Sequence, residues 1–223
     1  MIKHYRLFVK LLSDTIIASD KGYGAIIDTD VVFDEVGLPY IPAKRLKGVL
    51  RESAEVLSNI FQRADINFDI DVCGIFGKQG RASSEAGANF IIPNLYIDDY
   101  GKTRDFFDSL FSDEGADNAS RSKFNISKED VMSFFTNIRM QTAIDSELGK
   151  TRKHSLRSMR VLDKNMVFSS SFELDEIYID QLLYICAATK NIGSKRNRGF
   201  GEARVYIKDE KGGEMQLRPF NNF

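Results

Sequence analysis

Hydrophobic and polar positions alternate at the start of the chain. Tyr5, Leu7, Val9 and Leu11 fall on one face of residues 3–12, and Arg6, Phe8 and Lys10 on the other. A period of two over this length predicts a half-buried strand. Between 43 and 62 the spacing becomes helical, through Leu46, Val49, Leu50, Leu57, Ile60 and Phe61. Pro42 precedes this run, and a first helical turn tolerates a residue without an N–H. Residues 88–98, ANFIIPNLYID, read as a strand that Pro93 confines to an edge or a bulge. Residues 99–126 are polar and acidic and read as a long loop. Ser127 and Asp130 make an S-x-x-D capping pattern ahead of Val131, Phe134, Phe135 and Ile138, which predicts a helix start. The stretch 139–160 has no clear period and reads as a protruding hairpin. Phe168, Ser170, Phe172 and Leu174 alternate again. Ile179, Leu182, Leu183, Cys186 and Ala187 give a second core helix. Ala203, Val205 and Ile207 then oppose Arg204, Tyr206 and Lys208 in a last strand. Without its insertions the order is strand, helix, strand, twice over. That predicts a single α+β domain over 1–223, ferredoxin-like, with its core in 3–12, 43–62, 88–98 and 165–208.

Charge changes the picture more than composition does. The 223 residues are 43% hydrophobic and 28% charged, enough for a sizeable core. The formal net charge of -1 predicts no polyanion partner. The distribution does. Lys44, Arg45, Lys47 and Arg51 form one acid-free stretch, Lys150, Arg152, Lys153, Arg157 and Arg160 a second, and Lys190, Lys195, Arg196 and Arg198 a third. Acids collect elsewhere, from Asp98 to Asp117. This segregation suits a basic groove on an otherwise acidic protein. Cys73 and Cys186 are single and distant, with no metal or disulfide spacing, and read as small core hydrophobes. The first residues, MIKHYRLFVKLLSD, carry charge within their apolar run. They read as neither a signal peptide nor a membrane span, and the expected compartment is the reducing cytoplasm.

Three segments carry candidate chemistry. In YIPAKRLKGVLRE, Lys44, Arg45 and Lys47 occupy the first turns of the predicted helix, where the partial positive charge of the helix end disfavours them. A bound anion would relieve that conflict, and Gly48 would let a ligand approach closely. In NIGSKRNRGFG, Gly193, Gly199 and Gly201 can take positive φ and bring bare backbone to a phosphate, beside Lys195, Arg196 and Arg198. In GAIIDTDVVFDE, Asp28, Asp30 and Asp34 could hold a divalent cation or orient a hydroxyl, although acids in a surface turn are the commoner case. GIFGKQG lacks the spacing of a phosphate loop. His4 reads as an ordinary strand residue. His154, with Arg157 in the second basic stretch, is a candidate phosphate ligand. The aromatic signature of an RNA-recognition motif is missing, so base stacking on the sheet is not expected.

Taken together, DTDVVFDEVGLPYIPAKRLKGVLRE, CGIFG, QTAIDSELGKT and NIGSKRNRGFGEARV resemble, in order, the RAMP superfamily of CRISPR proteins. Within it they resemble the repeated backbone subunit of type III RNA-guided effector complexes. The paired signatures P-x-x-x-L-K-G-x-L-R and G-x-x-R-x-R-G-F-G carry most of the likeness. The resemblance implies an RRM-like palm with an inserted thumb hairpin, here 139–160. It implies that the chain binds guide RNA (crRNA) and target RNA beside other effector subunits and copies of itself. The guide backbone would lie on Lys44, Arg45, Lys47, Arg51, Lys195, Arg196 and Arg198. An aspartate before P-x-x-x-L-K-G cleaves target RNA in the family with a divalent metal, Mg or Mn. Asp28 falls at that place by its spacing to Asp34 and Pro42, with Asp30 as its companion ligand. Alternatives are a non-catalytic RNA-binding filament subunit, a guide-processing endoribonuclease, and a phosphate-metabolite-binding domain.

Overall fold

The computed structural model describes residues 1–19, 27–78, 88–112, 126–143, 150–151 and 155–219. Strand β1 (Ile2–Leu11) is an interior strand, antiparallel to β6 (Val167–Asp175) on one side and β7 (Ala203–Lys208) on the other. The five-stranded sheet runs β2 (Tyr40–Ile41), β3 (Leu95–Ile97), β6, β1, β7. Helix α1 (Ala43–Arg63) connects β2 to the segment before β3, and α5 (Ile179–Ala188) connects β6 to β7. The order β3-β6-β1-β7, with a helix in each half, is compatible with the expected ferredoxin-like palm. Tyr5, Leu7, Val9 and Leu11 are buried in one core with Leu46, Leu50, Leu182 and Ile185. The period-two face of β1 thus meets the helical stripes of α1 and α5. Truncating Leu7, which is fully buried, to Ala should cost about 2–5 kcal/mol.

Four expectations need correction. The strand read over 88–98 is only Leu95–Ile97 and sits between β2 and β6, not at an edge. Pro93 stands just ahead of it, where no ladder N–H is required. Part of the supposed loop is helix α3 (Tyr100–Ser112). Tyr100, Phe107 and Phe111 pack against Val36, Leu38 and Val131 in a small second core. Helix α4 (Lys128–Phe134) has the expected Ser127–Asp130 capping box but stops before Ile138, which belongs to β4 (Thr136–Gln141). Cys186 is buried, and that burial pushes its thiol up, whereas Cys73 is exposed rather than in the core.

Two paired strands flank the expected hairpin, whose residues 144–149 and 152–154 lie outside the described residues. β4 pairs with β5 (Arg157–Leu162), from Thr136 opposite Leu162 to Gln141 opposite Arg157. The free edge of β5 is stitched to the body of the protein. Leu162 exchanges both backbone hydrogen bonds with Thr15, Arg160 N–H donates to Thr29 O at 3.0 Å, and Asp28 N–H donates to Ser158 O at 3.1 Å. The loop carrying Asp28 is therefore fixed to the base of the hairpin by backbone bonding. Among the described residues no helix is long and apolar enough to cross a membrane.

Candidate nucleic-acid interface

Helix α1 begins with cations and no acid in its first turn. Pro42 supplies no side-chain cap, but Ala43 N–H donates to Asn94 Oδ1 at 2.9 Å. Arg45 and Leu46 N–H groups both turn back to Pro42 O. The helix end therefore leaves little free backbone for an anion, and the expected backbone cradle is narrower than the sequence suggested. What remains are the side chains. Lys44, Arg45 and Gly48 line one cleft of about 390 Å³ together with Ile192, Gly193 and Ser194 from the loop before β7. A Cβ at Gly48 would meet nothing within 4 Å, so this helix face is open to a close approach. The loop that leads into the third basic stretch thus lies against the start of α1, and Glu52 lines the same cleft. Arg196 Nη1 lies 3.0 Å from Glu52 Oε2, and Thr189 Oγ1 donates to Ser53 Oγ at 2.8 Å, fixing the loop's position against α1.

The expected site residues divide by what already engages them. Arg51 donates to Gly77 O and lies 5.8 Å over the Phe76 ring, so it ties α1 to α2 (Val72–Phe76) rather than lining the cleft. Lys47 is held below its ordinary pKa by burial and by the Arg51 charge, and it too is outside the cleft. Gly193 and Gly201 have φ of +76° and +80°, and an added Cβ would stand 2.4 Å from Ile16 O and 2.0 Å from Ile192 O. The Cβ side of both backbones therefore abuts the protein itself, while Gly193 also borders the cleft. Gly199, at φ +80° with nothing within 4 Å, is the loop glycine that is open.

Lys195 adopts the left-handed conformation at φ 57°. Its Nζ reaches the hairpin base, 3.5 Å from Gln141 Oε1 and against Met159 Sδ. Burial lowers its pKa, as do Arg198 and Arg157, while Asp28 opposes them. These four charged groups share one neighbourhood. Arg198 and Arg157 are exposed. His154 lies outside the described residues.

Asp28 and Asp30 have different fates. Asp28 is exposed, and its Oδ2 accepts from Ser158 N–H at 2.8 Å. Asp30 is 4% exposed, its Oδ1 accepts from Val31 N–H at 2.8 Å, and it sits 3.5 Å from Arg160 Nε. Asp30 is thus a buried carboxylate paired with a buried guanidinium, whereas Asp28 faces solvent. Among the described residues, no three His, Cys, Asp or Glu side chains cluster as a metal site would need. Asp34 is a turn residue, accepting from Val36 and Leu38 N–H and from Tyr100 O–H. Ser158, Arg160, Asn94 and Gln141 were not singled out by sequence. Arg160 carried a signal as a member of a basic stretch, and Gln141 as the first residue of QTAIDSELGKT.

No curated protein matches the chain. Among solved structures, a chain of the type III-B Cmr-beta assembly bound to cognate target RNA matches with a TM-score of 0.58 at 12% identity. That match covers 92% of this chain and 96% of the other. A chain of the same assembly in its apo state matches with a TM-score of 0.58 at 13% identity, over 91% and 96%. These identities establish likeness of fold. The model of the RAMP superfamily matches residues 8–204, most of the length, and the protein therefore belongs to the RAMP superfamily.

Proposed function

We propose that the protein is a guide-RNA-binding backbone subunit of a type III CRISPR effector complex, and that it cuts guide-paired target RNA at Asp28. One observation carries the reading: the cationic start of α1 and the backbone of 192–194, which leads into the second cationic segment, line one open cleft, with Asp28 held against β5 beside Lys195. The family membership and the fold shared with chains of a Cmr-beta assembly solved on target RNA support it. Lys44, Arg45, Lys195 and Arg198 would hold guide phosphates without reading sequence. Copies of the subunit would stack along one guide, with the 139–160 hairpin opening the paired strand at intervals.

Cleavage follows from the chain's own groups. A ribose 2′-OH at Asp28 gives its proton to the carboxylate, which Ser158 N–H holds in one orientation. The 2′ oxygen then bonds to the adjacent phosphorus as the bond from phosphorus to the 5′ oxygen breaks, and the leaving oxygen takes a proton from solvent. The products are a 2′,3′-cyclic phosphate and a 5′-hydroxyl. Among the described residues no second unpaired carboxylate stands beside Asp28, so no step is assigned to a divalent cation. Asp28→Asn tests the reading in the assembled complex. Target binding should stay unchanged while cutting falls by about 100-fold or more. Undiminished cutting would remove Asp28 from the chemistry. Loss of guide binding as well would make its role structural.

A further inference from the structure

The face of the sheet turned away from α1 and α5 carries an arrangement that the cleft does not explain. Across β1 and β7, Arg6 stands opposite Lys208, Phe8 opposite Tyr206, and Lys10 opposite Arg204. Two like-charge pairs thus flank one aromatic pair. Like charges directly opposite on neighbouring strands destabilise a sheet, and the Arg6–Lys208 pair has no carboxylate among the described residues to relieve it. Two residues of strand separate each cation pair from the aromatics, about 7 Å. The Phe8 and Tyr206 rings are stacked, 5.1 Å apart and 9° from parallel. Arg6 lies 5.1 Å and Lys208 4.9 Å from the Phe8 ring centre, and Arg204 lies 5.0 Å from that of Tyr206. Phe8 is only 7% exposed, yet it lies outside the main core cluster. The same row continues through Ser169 to Tyr96 and Tyr40. Glu214 neutralises Arg204, but among the described residues Arg6, Lys10 and Lys208 have no carboxylate partner.

We infer that this outer face of β1 and β7 is a second RNA-binding surface, for a single strand with unpaired bases. Phosphates between the opposed cations remove the repulsion that the bare sheet carries. The guanidinium planes of Arg6 and Arg204, backed by rings, offer surfaces on which bases stack. An apolar protein partner would have no use for the unneutralised cations. A duplex would leave the guanidinium planes without unpaired bases to meet.

The test uses the full chain carrying Lys44→Ala and Arg45→Ala, which weakens the cleft and exposes the second surface. Binding of a labelled oligouridine of about ten nucleotides is followed by anisotropy across a salt series. Adding Arg6→Ala with Lys208→Ala should weaken binding about tenfold and reduce the salt slope by about 1.4, or about 0.7 for each phosphate no longer neutralised. A merely structural role for these residues would lower Tm and leave the affinity and the salt slope unchanged. Tyr206→Leu should weaken binding while leaving the salt slope in place. Unchanged affinity and slope in the Arg6 and Lys208 variant overturn the proposal. So does a polyglutamate peptide that binds this face while oligouridine does not, because the occupant would then be an acidic protein segment.

Discussion

Two faces of helix α1 carry the same kind of charge and do different things. On one, Lys44, Arg45 and Gly48 border an open cleft with Ile192 to Ser194. On the other are Lys47 and Arg51, and Arg51 is committed to Gly77 O and the Phe76 ring. The glycines divide in the same way. Gly193 and Gly201 are filled by the protein's own backbone, and Gly48 and Gly199 are not. Charge and glycine alone therefore do not mark a binding surface. What marks it is charge bordering open space beside glycine without an internal neighbour.

The largest effect that would sharpen this contrast is at the filled glycines. Gly201→Ala places a methyl 2.0 Å from Ile192 O at positive φ and should cost more than about 2 kcal/mol, read as a fall in denaturation midpoint. Gly48→Ala meets nothing and should stabilise α1 by about 0.5–1 kcal/mol while lowering RNA affinity. A Gly48 variant that loses stability, or keeps full affinity, would break the contrast. Next in size, Arg51→Ala leaves the Gly77 carbonyl without its charged donor and should cost about 1.5–3 kcal/mol with little change in the salt dependence of RNA binding. Lys44→Ala with Arg45→Ala should do the reverse. Stability should change less than in Arg51→Ala. The slope of log affinity against log salt should fall by about 1.4.

The smallest effect concerns the second core. Burial and then the Asp34 carboxylate push the Tyr100 phenol from 10.0 up to about 12. A folded pKa raised above its unfolded value gives stability that is fully present below pH 10.0 and is lost as pH rises through about 12. Tyr100→Phe should flatten that alkaline decline and leave the neutral-pH cleft unaltered. The check is urea denaturation repeated across this pH range.

The strands and helices that were legible in sequence are those whose pattern is local. β1, α1, β6, α5 and β7 each show their period within ten to twenty residues, and the Ser127 box closes within four. Helix α3 was missed because its aromatics sit among acids, and their partners, Val36 and Val131, lie far away in sequence. The site divides likewise. Clusters of like charge could be read directly. Which charges were already engaged could not, because Arg51 to Gly77, Arg196 to Glu52 and Asp30 to Arg160 are all long-range pairings. The like-charge rows of β1 and β7 were equally hidden, since cross-strand register is set by the whole sheet.

The central claim is that residues 44–48 and 195–199 hold one strand of RNA between them. Its most direct test is photocrosslinking of guide RNA carrying a single 4-thiouridine at successive positions, with the crosslinked peptides identified by mass spectrometry. Peptides from both segments should appear at the same or neighbouring nucleotides. Crosslinks to the two segments from widely separated nucleotides, or to neither, would contradict the account.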